Sequence, residues 1–345
     1  MKKENIIDNK IIDILKLFFS ICVVAIHTGI FDDRNSLTQY FIFQSIFRLA
    51  VPFFFVCSGY FIGLKLFNKK EKLEGKIIIK KQLSRLKYPL IFWMIIGLPI
   101  QIYFLRDNSL VYIALKLTQK VLFYPWNAFW YVLALIVALF IILQFYKKNK
   151  LELCFKISCF LYCFALICNN YYFVIENTFI QSFVDKYMYI FISARNGLFV
   201  GLFFVTAGIL LAKKSLSHIF DKKKNILMLI AFYSLFLLEI FFIRNKSYLD
   251  DSSLFLLILP VVIEIIICSS FINLKIDTKK IRNYSTGLYF VHATIRDIIK
   301  ILFETFYGIE INSSITLFLL TLVISFILVT VLFKINNDKI NKIIK

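Results

Sequence analysis

Hydrophobic residues fall into ten long runs, near positions 11–31, 40–64, 88–106, 126–146, 151–173, 195–212, 225–243, 253–272, 284–306 and 314–333. Each comes close to the roughly 20 apolar residues that an α-helix needs to cross the hydrocarbon core. The polar connections between them are short, and none leaves room for a soluble domain. The pattern therefore predicts an all-α polytopic membrane protein of about ten transmembrane helices, organised as one domain over residues 1–345. The first run is long, contains charged residues and lacks a small-residue cleavage site. It reads as a retained helix rather than a signal peptide.

Charge adds an orientation. The runs leave Lys and Arg unevenly distributed: 28 on one set of connections and 8 on the other. The positive-inside rule places the richer set, and with it both termini, in the cytoplasm. The same bias accounts for the net charge of +20 without nucleic acid as a partner. A basic cytoplasmic face beside anionic lipid is the ordinary arrangement. Composition agrees, since 60% of residues are hydrophobic and 40 are Phe. The seven cysteines all fall within predicted spans, where they read as small packing residues rather than metal ligands or disulfide partners.

Two outer connections carry pattern of their own. Residues 107–125 contain the amphipathic stretch Leu110–Phe123, with Lys116 and Lys120 on one side, expected to lie along the interface or re-enter the membrane. Residues 174–194 carry Tyr187, Tyr189 and Phe191 and are expected to lie over an external site. The basic stretch Lys80–Pro89 reads as a cytoplasmic loop leading into the third span.

The chemistry lies in polar groups inside the runs. Ionisable side chains at mid-membrane cost about 2.5–3.5 kcal/mol even on insertion scales, so they mark function. Asp13, Lys16 and His27 share the first run. At about 100° per residue, Asp13 and His27 fall on nearly one face, with His27 about 21 Å further along the helix. Such a stripe suits the wall of a cavity. Asp13 and Lys16 also suit an interfacial ion pair, and His27 a satisfied packing residue. The second run carries Arg48, which keeps its charge and needs a cavity or partner. It also carries Pro52, which is expected to kink the helix, and Ser58-Gly59, which permits close helix approach. The ninth run carries Tyr289, His292, Arg296 and Asp297, with His292 and Arg296 on one face at i and i+4.

These pieces together resemble acyltransferase family 3, the bacterial integral-membrane acyltransferases. An Asp-x-x-Arg pattern with a His fourteen after the Asp matches Asp13, Lys16 and His27. An Arg…Val-Pro-x-Phe-Phe…Ser-Gly-Tyr pattern matches Arg48, Val51, Pro52, Phe54, Ser58, Gly59 and Tyr60. A basic Arg-x-x-Arg before proline matches Gln82, Arg85 and Pro89. The Trp-Tyr/Phe and Tyr-x-x-His pairs match Trp130-Tyr131 and Tyr289…His292. The chain departs from the pattern twice. Lys16 stands for an arginine and keeps charge without bidentate geometry. Gln82 stands for the first arginine of the basic motif, with Lys81 beside it.

The resemblance implies a membrane acyltransferase that takes an acyl group, acetyl first among the candidates, from cytoplasmic acyl-CoA. The acceptor it implies is a hydroxyl of a cell-surface glycan or lipid-linked sugar. His27 is the implied general base, a role suited to an imidazole that titrates near neutrality. Arg48 supports the reacting centre, and Asp13 holds the helix and its basic neighbour. Lys16, Lys81 and Arg85 take the phosphates of CoA, while Trp130, Tyr289, His292 and Arg296 are supporting residues. No metal is expected. The implied location is the bacterial cytoplasmic membrane. Some family members carry a fused racemase or esterase-like domain, and none is expected here. The rival reading is a proton-coupled transporter that uses His27 and His292 as a relay. A catalytically dead scaffold is a third reading.

Overall fold

The computed structural model describes residues 9–30, 36–68, 72–244, 246, 253–311 and 315–335. Among the described residues the fold is entirely helical. In chain order the α-helices are α1 (Asn9–Thr28), α2 (Leu37–Ser45), α3 (Ala50–Phe67), α4 (Lys72–Phe104), α5 (Leu110–Phe123), α6 (Phe129–Lys147) and α7 (Leu151–Ile167). They continue as α8 (Phe179–Phe191), α9 (Leu202–Ser217), α10 (Lys222–Arg244), α11 (Ile258–Ser269), α12 (Lys279–Tyr307) and α13 (Ile315–Ile335).

Among the described residues each of the ten apolar runs contains helix. Seven of the described helical stretches are long and apolar enough to cross a bilayer. The expected fifth and eighth spans fall on α7 and α11, which have 17 and 12 residues. The ninth falls on α12, which is long but carries charged residues along its length. Both termini lie outside the described residues.

Two local expectations are revised. The basic stretch expected as a loop before the third span is helical, because α4 runs unbroken from Lys72 through Pro89 and Pro99 to Phe104. Lys, Leu, Gln and Arg are strong helix formers, and between Lys72 and Pro89 only Gly75 opposes them. At 1.5 Å per residue α4 measures about 50 Å, well beyond the roughly 30 Å of a hydrocarbon core. The second run breaks before its proline. A 3₁₀ turn at Phe47–Leu49 separates α2 from α3, and Pro52 sits in the first turn of α3. A proline there needs no backbone N–H, so it starts the helix cleanly.

The chain forms two compact units with interleaved segments. One comprises Met1–Ile11, Val51–Leu86 and Tyr131–Leu274; the other comprises Ile12–Ala50, Lys87–Trp130 and Lys275–Lys345. In the first, α3 packs against α9 through glycine. A Cβ on Gly59 would collide with the Val205 carbonyl oxygen, and one on Gly208 with the Val56 carbonyl. A Cβ on Gly63 would lie 2.7 Å from that of Ala212. The backbones are close because side chains are missing at the crossing, the usual device for helix pairs in lipid. Gly59→Val is therefore expected to destabilise the protein by about 1–3 kcal/mol or more through overpacking. Melting in detergent checks this: an unchanged Tm would mean that the two helices can separate without cost.

In the second unit α1 lies along α12. Ser20 Oγ is 2.9 Å from Ser285 Oγ and donates to the Ser285 carbonyl at 3.1 Å. Gly287, on α12, admits Val329 of α13, whose Cγ1 would lie 2.8 Å from an added Cβ. These contacts fix the register of α1 on α12 and set His27 opposite the face of α12 that carries His292 and Arg296.

Candidate active site

His27 sits in the last turn of α1, half-buried. The helix stops at Gly29, which takes a left-handed φ of 63°. The Ile30 N–H returns to the Ala25 carbonyl at 3.4 Å and the Gly29 N–H to the Ile26 carbonyl at 3.3 Å. Glycine at this position is the common way to end a helix. The last carbonyls of a helix need outside donors. That of His27 accepts from Arg296 Nη1 at 3.0 Å.

α12 supplies the other side. His292 is fully buried, and its Nδ1 lies 2.9 Å from the Leu288 carbonyl oxygen. A carbonyl only accepts, so Nδ1 carries the proton and Nε2 offers a lone pair. Nε2 has no hydrogen-bond partner among the described residues. The His27 and His292 rings stand 5.3 Å apart between centroids. One turn along, Arg296 works as a fork. Nε donates to Asp297 Oδ1 at 2.8 Å, Nη2 donates to Asn127 Oδ1 at 2.9 Å, and Nη2 also pairs with Asp297 Oδ1. The side chains of Arg296 and Asp297 are 15% and 2% exposed, so this ion pair is largely dry. Asn127 holds φ at 60°, a conformation that Asn tolerates better than most residues. The Tyr289 hydroxyl donates to the next carbonyl, that of Ala128. Tyr289 and Arg296 thus grip the segment before α6 while Arg296 holds the end of α1.

The remaining sequence candidates are spread more widely. Asp13 is buried fourteen positions before His27, where its Oδ2 accepts from Thr278 Oγ1 at 2.9 Å and lies 3.9 Å from Arg282 Nη1. This geometry makes Asp13 a tether between α1 and the start of α12. Lys16 is half-buried on α1. Arg48 lies in the 3₁₀ turn, with its guanidinium 4.7 Å from the centroid of the Phe43 ring. Trp130 is buried and stacks on Tyr124 at 5.7 Å. Lys81 and Arg85 are exposed on α4 and belong to the other unit.

Two members of the constellation, Asn127 and Asp297, were in view in the sequence without a role. Asp297 had a signal, because an acid beside Arg296 inside an apolar run demands pairing. Asn127 had none, because its part depends on a tertiary contact with a residue 169 positions away.

Comparison with known proteins gives the class. The model of the acyltransferase domain family known as acyltransferase 3 matches residues 9–334. The chain belongs to that family, and it is a multi-pass membrane acyltransferase. It is 24% identical over 336 residues to an amino-acid racemase of Enterococcus faecalis, covering 93% of this chain and 45% of the relative. It is 27% identical over 262 residues to a serine/alanine racemase of Enterococcus gallinarum, covering 74% of this chain and 36% of the relative. The chain thus spans less than half the length of these relatives. No solved structure matches it.

Proposed function

We propose that the protein transfers an acyl group, acetyl in the first instance, from cytoplasmic acyl-CoA to a hydroxyl of a cell-surface glycan or lipid-linked sugar. The proposed setting is the bacterial cytoplasmic membrane with both termini inside. The observation that carries the reading is the placement of His27 within a whole-chain acyltransferase match: half-buried, at a helix end, with its backbone held by Arg296 and its ring beside His292.

In this reading His27 accepts the proton of the acceptor hydroxyl as its oxygen attacks the thioester carbonyl. The C–S bond then breaks and the thiolate of CoA leaves, taking up a proton. The fixed positive charge of Arg48 stabilises the developing oxyanion. His292, held in one tautomer by Leu288, orients the His27 ring. Lys16, Lys81 and Arg85 supply cations for the CoA phosphates, and Trp130 and Tyr289 shape the acceptor side.

The cofactor assignment has its own test. Arg85→Ala is expected to raise the KM for acyl-CoA about tenfold, the worth of one charge-assisted hydrogen bond, with little change in kcat. Added salt should weaken acyl-CoA binding by the wild-type protein, because the group is exposed. An unchanged KM in Arg85→Ala removes the residue from the cofactor site.

A further inference from the structure

The amphipathic segment after α4 has no part in the reaction so far. Ser109 caps it, accepting from the Tyr112 N–H at 3.3 Å, and α5 follows. Its apolar side chains, Leu110, Val111 and Leu115 among them, are exposed, as suits a helix lying in lipid. Its two lysines point elsewhere. Lys116 Nζ donates to Gln119 Oε1 at 3.0 Å, and Lys120 Nζ donates to Gln101 Oε1, also at 3.0 Å. Gln101 is a buried residue of α4. Neither lysine has a carboxylate within ion-pair distance among the described residues.

The two cations lie one helical turn apart on α5, and each is held by a neutral amide oxygen rather than a carboxylate. Burial, and after it the charge of Lys116, pushes the Lys120 ammonium below its ordinary range, while Asp297 acts in the opposite direction. Lys120 is therefore within electrostatic reach of both Lys116 and Asp297. A second, independent group points the same way. Trp126 is 95% buried by its 5% exposure, and its indole N–H has no acceptor among the described residues. That nitrogen rests on Gly97 of α4, where a Cβ would lie 2.5 Å from it. Gly97 and Gln101 are one helical turn apart on the same face, so Trp126 and Lys120 approach α4 at neighbouring positions. An indole nitrogen can only donate, and a buried donor without an acceptor is costly. Two ammonium groups and one indole N–H call for an anion with several acceptor oxygens. Phosphate has them, and a membrane acceptor can carry it as a phosphodiester within a polymer or as a lipid-linked pyrophosphate.

We propose that Lys116, Lys120 and Trp126 bind the phosphate of a phosphorylated acceptor and present its hydroxyl to His27. The inference rests on the acyl-transfer reading for the second half of that statement only. The link from the anion to the base runs through charge: Asp297 acts on Lys120 and pairs with Arg296, which holds the His27 carbonyl.

The test is binding, measured by titration calorimetry on the full-length protein in detergent. One arm uses a short isoprenyl pyrophosphate, and the other uses soluble glycerol phosphate oligomers. An uncharged methyl hexoside is the control. The wild-type protein should bind one phosphate probe and not the hexoside, and the preferred probe distinguishes the lipid from the polymer source. The Lys116→Gln/Lys120→Gln variant should lose about tenfold or more in affinity and show a shallower salt dependence. Lys116→Arg/Lys120→Arg should bind like wild type, which guards against a folding defect. Affinity for CoA should stay within about twofold in both variants, well under the tenfold that one charge-assisted bond carries. Failure of both phosphate probes to bind wild type, or equal binding by the glutamine variant, overturns the site. So does a loss confined to CoA. Phosphate binding through these lysines without detectable acyl transfer would retain the site and sink the reaction. Acyl transfer with an acceptor KM that the glutamine variant leaves unchanged would do the opposite.

Discussion

His27→Gln should cut acyl transfer by about 10²–10⁴-fold, the usual contribution of a general base, in membranes with matched protein levels. Glutamine keeps a hydrogen-bonding side chain of similar reach but cannot take a proton. The substitution also leaves the contact that orders this end of α1 intact, because Arg296 holds the backbone carbonyl of residue 27 and not its ring. Loss of rate should therefore occur without loss of fold. His292→Gln should be milder, because His292 is assigned to orienting the ring 5.3 Å away. If His27→Gln stays active while His292→Gln is dead, the base lies on α12.

Arg296 carries the second large effect, and its signature is different. Arg296→Met removes the partner of Asp297, which is 2% exposed. Breaking a buried ion pair by deleting one member costs about 3–5 kcal/mol, because the remaining charge is stranded. Arg296→Met should therefore be poorly folded, seen as lower yield and a depressed Tm. Arg296→Met/Asp297→Leu should recover much of that stability, since replacing the whole pair with apolar groups is often neutral. Activity should not return with it. Neither the His27 carbonyl nor Asn127 regains its donor, so the end of α1 and the segment before α6 are no longer locked together. Full activity in the stable double variant would show that the lock serves stability alone.

Much of this was legible in the chain. Each of the ten apolar runs contains helix, though only seven of the described helical stretches are long and apolar enough to span a bilayer, and the i, i+4 spacing of His292 and Arg296 put both on the face that meets α1. Periodicity is a local property, and these are local conclusions. What escaped was tertiary or depended on helix length. The nearness of His27 to His292 joins residues 265 positions apart, and nothing in either neighbourhood announces the other. The stretch before Pro89 looked like a loop because it is charged, yet good helix formers carried α4 through it. Proline is the visible breaker, so the sequence points to a kink at Pro52 rather than to a break at Phe47–Leu49. The actual break comes a turn earlier, where Arg48 leaves the helical path. Asp13 read as part of a polar stripe with His27, while the structure ties it to Thr278 at the opposite end of α1.

The interleaving of the two units has a consequence for biosynthesis. The helix bearing His27 leaves the ribosome well before its partner Arg296, which follows 269 residues later. At about 5–20 residues per second, the gap is roughly a quarter of a minute to a minute. For that interval α1 is in the membrane without the groups that will hold its end. The unit made of residues 1–11, 51–86 and 131–274 has by then been fully synthesised. A nascent chain arrested before α12 would thus possess the histidine and lack its setting, so the constellation is assembled when α12 arrives rather than built up along the way.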